Sequence, residues 1–334
     1  MSNAKTGSTS RRTFGALLVS LALTNAATAQ QKEKLSIELD WAPTGMHAGL
    51  HLAQQKGWYD AAGLTVQIID GKGSTGTIQH IAAGQYDVGF AGLGAMAAGV
   101  SNGMPVTSVA CFQRASDYGL MVPANSPWQK LQDLKGKKIA MMSVAGVASF
   151  FDPYAKASGL SRSDFQIVSV DPSVLMSTYN TGGSDAAVST VAFFLPIVES
   201  VRPSKGILMS EVGLNVPGFG FVVRKQDVDA KASALRKLIE VNQKSWSHIL
   251  AGNEDEGVDA IMKERADLRL DRNIILGQLK AYMRFFDTPA TKGKPVGWQA
   301  ESDWVEAIKA MESVGMVKPG LTPADVYTNK LIAN

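Results

Sequence analysis

"GLTVQIIDGKGSTGTIQHIAAGQYDVGFAG", Gly63 to Gly92, runs as strand, Gly/Ser/Thr loop, short helix, Gly-x-x-Asp turn and second strand. The same order returns in "GLSRSDFQIVSVDPSVLMSTYNTGGSDAAVST", Gly159 to Thr190. Gly84-Gln85-Tyr86-Asp87 matches Gly182-Gly183-Ser184-Asp185, and each is followed by an apolar strand, Val88 to Ala91 or Ala186 to Val188. A strand and a helix lead into the Gly-Leu pair that opens each stretch. Gly and Asp punctuate turns in any protein, so the agreement of element order carries the repeat more than the shared residues do. Two βαβαβ units follow, mainly parallel, with right-handed crossovers. The fold class is α/β, in two lobes.

Upstream, "LDWAPTGMHAGLHLAQQKGWYDAAGLTVQI", Leu39 to Ile68, begins at the end of a strand in which Leu35, Ile37 and Leu39 alternate with Ser36 and Glu38. That period predicts a strand buried on one face. Pro43 and Gly45 stop it. Good helix formers run from Ala48 to Lys56, and Gly57 stands where a helix C-cap glycine belongs. A strand, a tight loop and a helix start in that order collect ligand sites in open α/β sheets. Between the two units, the strand Tyr118 to Val122 is predicted as the first crossing between lobes, and Gly218 to Val223 as the return. Residues 30–119 and 222–334 are then expected to form one lobe, and 120–221 the other. Beyond residue 228 the pattern is mostly helical, with Leu235, Leu238, Ile239 and Trp246 at helical spacing. These helices are expected to pack on the first lobe.

The first 29 residues read as an export signal: Arg11 and Arg12, an apolar run from Phe14 to Leu23, and Ala27-Thr28-Ala29 as a small-residue cleavage site. The paired arginines resemble a Tat signal. The run is too short to span a bilayer, which takes about 20 apolar residues. Removing the segment takes Lys5, Arg11 and Arg12 from 33 basic residues and nothing from 30 acidic ones, so the mature chain is neutral. A nucleic-acid partner loses its electrostatic argument. Cys111 is the one cysteine, which excludes an intrachain disulfide.

"LDWAPTGMHAGLHLAQQKGWYDAAGLTVQI", "IAAGQYDVGFAG", "LQDLKGKKIAM" and "GFGFVVRK" resemble the solute-binding proteins of ABC transporters, in the thiamine-pyrimidine-precursor class and close to the sulfonate, taurine and nitrate binders. The resemblance covers nearly the whole mature chain. The run Asp40-Trp41-x-Pro43-x-x-x-His47-x-Gly49 is the most specific part. Where members commonly carry Asn and a further polar residue between the proline and the histidine, this chain has Thr44, Gly45 and Met46. The resemblance implies a periplasmic binding protein of two lobes joined by two hinge strands. It implies a monomer that captures a small planar pyrimidine-like solute by closure and hands it to a membrane permease. Sulfonate, nitrate or taurine-type anions are the alternative ligands, and a ligand-sensing role the alternative use. Eukaryotic pyrimidine synthases of this fold rely on a cysteine-rich cluster and a pyridoxal-bearing lysine. With Cys111 alone the cluster is absent, no Ser/His/Asp, HExxH or CxxC spacing appears, and the reading is a binder without cofactor. His47 and His51 are four apart, but no third metal ligand is placed.

Ligand contacts are expected from loops at strand carboxyl ends. The first loop carries Asp40, Trp41 and His47. Trp41 offers a flat face and an N–H donor, or else packs as a rim residue. His47 contacts the ligand, as the resemblance implies, or makes a helix-start hydrogen bond. In the second loop Ser74 and Thr75 stand where a helix begins, and either could be its N-cap. Ala91 and Gly92 allow close backbone approach, and Ser143 precedes another helix. Ser189, Thr190 and Phe193 face them from the second unit. Phe150 and Phe151 are expected in the core.

Overall fold

Among the described residues, ten strands are interleaved with helices: β1 (Glu33–Leu39), β2 (Leu64–Ile69), β3 (Val88–Gly92), β4 (Val106–Cys111), β5 (Tyr118–Pro123), β6 (Lys138–Met142), β7 (Gln166–Val170), β8 (Ala186–Thr190), β9 (Ser204–Leu208) and β10 (Phe219–Arg224). The structure, a computed structural model, describes residues 32–142 and 146–333 together with Met1 and Gly7. Apart from those two positions, the expected export segment lies outside the described residues, and so does Ser143. No helix among the described residues is long and apolar enough to cross a membrane.

The strands form two sheets of five, ordered β2-β1-β3-β10-β4 and β7-β6-β8-β5-β9. In each, three neighbouring strands are parallel and the fourth position is antiparallel to both its neighbours. The two sheets therefore share one topology, as the repeat predicts. Its Gly-x-x-Asp turns do the same work twice. Gly84 and Gly182 both turn at positive φ, 75° and 79°, where a side chain would be strained. Asp87 then accepts hydrogen bonds from the backbone N–H and hydroxyl of Ser36 in β1, both at 2.8 Å. Asp185 accepts from the backbone N–H of Lys138 in β6 at 2.9 Å. Each aspartate ties the start of a strand to the first strand of its unit.

Three expectations need correction. The second face of β1 is covered toward its carboxyl end, where the helix Ser74–Ala82 lies against it, while Lys34 stays exposed. There Glu38 is 4% exposed and its carboxylate meets His80 Nδ1 at 2.9 Å. Next, β5 pairs only with β8 and β9, and β10 only with β3 and β4, so neither strand is itself a crossing. The chain passes between sheets just before each of them, through residues 112–117 and 209–218. Finally, the C-terminal helices do not all stay with the first sheet. Ala232–Leu250 does, burying Leu235, Leu238, Ile239 and Trp246. Arg272–Met283 also packs on Val191–Val198, the helix that follows β8.

The two passages are bonded to each other. Gly218 N donates to Gln113 O at 2.8 Å and Ser116 N to the Asn215 side chain at 2.7 Å. Arg114, 3% exposed, donates from Nη1 to Pro295 O at 3.1 Å and from Nη2 to Asp287 at 2.6 Å. Asp117 ends the first passage at the start of the Val191–Val198 helix. Its backbone carbonyl accepts from Val191 N at 2.9 Å and its carboxylate from Ala192 N at 3.2 Å.

Burial pushes the Asp117 carboxyl up to about 6, despite the hydrogen bonds it accepts from Gln113 and Ala192. The ordinary value is about 3.9, so as pH rises the unfolded chain releases this proton first and the fold loses stability. The contribution is whole below about pH 4 and gone above about pH 6, and amounts to about 3 kcal/mol at 1.36 kcal/mol per unit. Urea unfolding of the wild type and Asp117→Asn should therefore show a difference in midpoint that changes between those pH values and is flat above them. Parallel profiles across that window would remove Asp117 as the titrating group.

Candidate functional site

A cavity of about 310 Å³ opens where the carboxyl ends of β1 and β8 face each other. From the first sheet come Asp40, Trp41, Thr44 and Met46 of the loop after β1, with Phe219 at the start of β10. From the second come Thr190, Phe193 and Phe194, and Tyr282 reaches in from the helix Arg272–Met283. The local reasons are legible: Pro43 ends the strand run, and Thr44 caps the short turn Gly45–His47. The Thr44 hydroxyl accepts from Met46 N at 3.3 Å, and Thr44 N donates to His47 Nδ1 at 3.0 Å.

That last bond assigns the histidine's proton. With Nδ1 an acceptor, the neutral ring carries hydrogen on Nε2, which donates to Asp40 Oδ1 at 3.0 Å. The ring is 1% exposed and sits edge-on to Phe90, centroids 5.1 Å apart. His47 is thus placed behind Asp40, off the cavity wall, where it orients the carboxylate. It does not form a metal pair with His51, whose Nδ1 meets Glu264 at 2.5 Å instead.

The walls are aromatic. Phe219 is stacked on Phe90 and edge-on to Tyr282, at 6.1 and 6.3 Å between centroids. Phe193 and Phe194 meet edge-on at 4.8 Å. Trp41 stands at the mouth, 52% exposed. Burial, with the negative charges of Asp117 and Asp40, pushes the Tyr282 hydroxyl far above its ordinary range. It stays protonated and can donate. No lysine, arginine or histidine lines the cavity among the described residues.

Of the residues singled out in sequence, Asp40, Trp41, Thr190 and Phe193 come together on the wall. Ser74 and Thr75 begin the helix Ser74–Ala82, but neither is its N-cap: Gly73 is. The Ser74 hydroxyl instead accepts from Gly92 N at 3.0 Å, which spends both residues on joining two loops, while Thr75 is exposed. Ala91 is buried in β3. Ser189 is buried, its hydroxyl without a partner among the described residues. Phe150 and Phe151 are in the core, as expected. Phe194, Phe219 and Tyr282 escaped the sequence reading. Phe194 adjoins Phe193 and Phe219 opens a recognised strand, but Tyr282 lies on a helix that no motif connects to the cleft. A larger groove, about 570 Å³, lies along the edge strand β2. Its charges are already matched, Arg265 with Asp70 and Glu264 with His51.

The NMT1/THI5 like family model matches residues 44–256. A Haemophilus influenzae protein named for thiamine biosynthesis is 30% identical over 214 residues, 63% of this chain and 68% of its own. A 4-amino-5-hydroxymethyl-2-methylpyrimidine phosphate synthase of Saccharomyces cerevisiae is 29% identical over 137 residues, 41% of this chain; the match spans only 40% of the yeast protein. Among solved structures, the periplasmic aliphatic sulphonate binding protein SsuA of Escherichia coli superposes with a TM-score of 0.65 at 14% identity, over 85% of this chain and 88% of that one. The periplasmic nitrate-binding protein NrtA of Synechocystis gives 0.61 at 15% identity, over 90% and 87%. These two carry the fold only, which is that of the periplasmic binding proteins. With the family model covering well over half of its length, the chain belongs to the NMT1/THI5-like family.

Proposed function

We propose that this protein is the exported solute-binding component of an ABC importer. It captures a small planar heteroaromatic that carries hydrogen-bond donors, of the kind represented by 4-amino-5-hydroxymethyl-2-methylpyrimidine. The observation that carries this reading is the single carboxylate of Asp40, held by a neutral imidazole inside an aromatic cavity with no cationic side chain among the described residues. An amino group or protonated ring nitrogen would satisfy it, and the ring would lie among Trp41, Phe193 and Phe219.

An anion fits poorly. A sulfonate or nitrate would meet Asp40 with no lysine or arginine to offset the like charge. Helix starts could supply N–H donors instead, but the first donors at three of the starts beside the cavity are already engaged. Val191 N and Ala192 N donate to Asp117, Leu93 N to Gly218 O, and Met46 N to Thr44. The resemblance to anion binders therefore stops at the fold.

The remaining parts of the reading follow from this one. The periplasm is the proposed compartment, the Tat route the proposed exit and a membrane permease the partner; the binder acts as a monomer whose lobes divide at the passages 112–117 and 209–218, a few residues before the expected boundaries at 119/120 and 221/222. Contacts from both lobes favour the arrangement in which they are together, so solute shifts the population toward closure. The protein performs no chemistry on its solute. Cys111 is fully buried in β4, and burial pushes its thiol far above the ordinary range, so it offers no nucleophile.

In a thermal-shift screen the aminopyrimidine should raise the melting temperature, and ethanesulfonate, taurine and nitrate should not. At a hundredfold over its dissociation constant the stabilisation is about 2.7 kcal/mol. A large shift with the sulfonates alone overturns the ligand class. By calorimetric titration, Asp40→Asn should weaken aminopyrimidine binding by roughly 1.5–3 kcal/mol, the range for a hydrogen bond to a charged group. Trp41→Ala should weaken it by about 1 kcal/mol or more with little change in stability, since the indole is half exposed. The compound should be recovered unchanged after incubation; turnover without added cofactor contradicts the binding role.

A further inference from the structure

The helix Arg272–Met283 belongs to neither repeated unit, yet it touches both walls of the cavity. On the first-sheet side it lies against the turn Gly45–His47 so closely that a Cβ on Gly45 would stand 2.2 Å from Leu279 N. On the other side a Cβ on Gly277 would stand 2.8 Å from Pro196, in the helix Val191–Val198. Between the two contacts is Gln278, 2% exposed. Its Oε1 accepts from Gly45 N at 3.3 Å and its Nε2 donates to Phe193 O at 3.2 Å. One turn further along, Tyr282 enters the cavity.

Gln278 is thus the amide through which the loop carrying Asp40 and Trp41 is joined to the helix carrying Phe193. We propose that the seam between Arg272–Met283 and Val191–Val198 is where the two lobes part, and that Gln278 is the positioning residue that latches it, holding the lobes together part of the time even without solute. A neutral amide suits the task. When the seam opens, both of its groups regain water, so the latch stabilises the shut arrangement only modestly and can release. The inference rests on the solute-binding reading for its effect on affinity, but not for its effect on the lobes.

Gln278→Glu separates the two halves of the contact. The introduced carboxylate still accepts from Gly45 N, but it sets an oxygen against Phe193 O where a donor stood. Gly277→Ala pushes on the same seam sterically, through Pro196. Spin labels on Gln85→Cys and Lys156→Cys, exposed sites beside β3 and in the helix Phe151–Ala157, report the distance between lobes. Cys111 is buried and stays unlabelled. In solute-free wild type the distance distribution should contain the separation of the present structure. Gln278→Glu at pH 8 should deplete it, and at pH 5 protonation should restore the donor and most of that population. Gly277→Ala should deplete it at both pH values. With 4-amino-5-hydroxymethyl-2-methylpyrimidine as probe, the dissociation rate should rise about tenfold in Gln278→Glu at pH 8, the scale expected for one lost hydrogen bond with its acceptor left facing a charge. A wild type that lacks the short separation, or variants that keep it while only their melting temperature falls, overturns the proposal. Failure of the probe to bind overturns the ligand class and leaves the distance measurement to decide the latch.

Discussion

The first sheet is completed by a strand that lies beyond the whole second sheet in sequence. β10 lies between β3 and β4, antiparallel to both, and follows β5 to β9 along the chain. The second sheet has the complementary debt, since β5 fills its gap between β8 and β9 ahead of every other strand there. Each sheet thus contains one strand reached directly across the gap, and this requires two passages. The buried backbone groups in those passages must be paired. They pair with each other and with the helix starts they run beside, Leu93 N to Gly218 O and Val191 N to Asp117 O. Long-range pairing of this kind bears a loop-closure cost before any contact forms.

The same constraint builds the cavity. Phe219 is the first residue of β10 and follows the second passage directly, so the requirement to complete the sheet delivers an aromatic ring to the cleft. Asp117, at the end of the first passage, caps the helix whose first turn carries Phe193 and Phe194. The first donors of the helices Leu93–Ser101 and Val191–Val198 are engaged by the two passages. Among the polar groups of the cavity wall are the carboxylate of Asp40 and the hydroxyls of Thr190 and Tyr282, with rings around them. In surroundings of low polarity such groups act strongly on a matched partner and penalise a mismatched one.

Asp40 is useful because His47 is not free. An imidazole that accepts from Thr44 N at one nitrogen has a single proton left, on the other, and that proton faces Asp40. The carboxylate is held in one orientation by a residue that adds no charge to the cavity in this tautomer. The triplet Thr44, His47 and Asp40 spans eight positions of sequence, and the capping turn alone brings it together.

Local chemistry could be read directly from the chain. The period of β1, the Gly-x-x-Asp turns and the loop chemistry of Pro43 are set by neighbours a few residues away, and so are the positions of Asp40, Trp41, Thr190 and Phe193 at strand ends. Those features survived contact with the structure because a turn or a strand end places its own side chains whatever lies beyond. Burial and partnership did not follow from the same information. Glu38 reads as the solvated side of a strand until the helix Ser74–Ala82 brings His80 to it. His47 reads as a ligand contact until Thr44 and Asp40 take both its nitrogens, and Ser74 reads as a cap until Gly92 claims its hydroxyl. Tyr282 and Gln278 carry no motif, and they matter only because packing lays a distant helix across the cleft. The sequence by itself determined which elements form and what each strand end offers; tertiary structure decided which of those groups remain free, because a buried polar atom is committed by whichever partner the fold brings to it first.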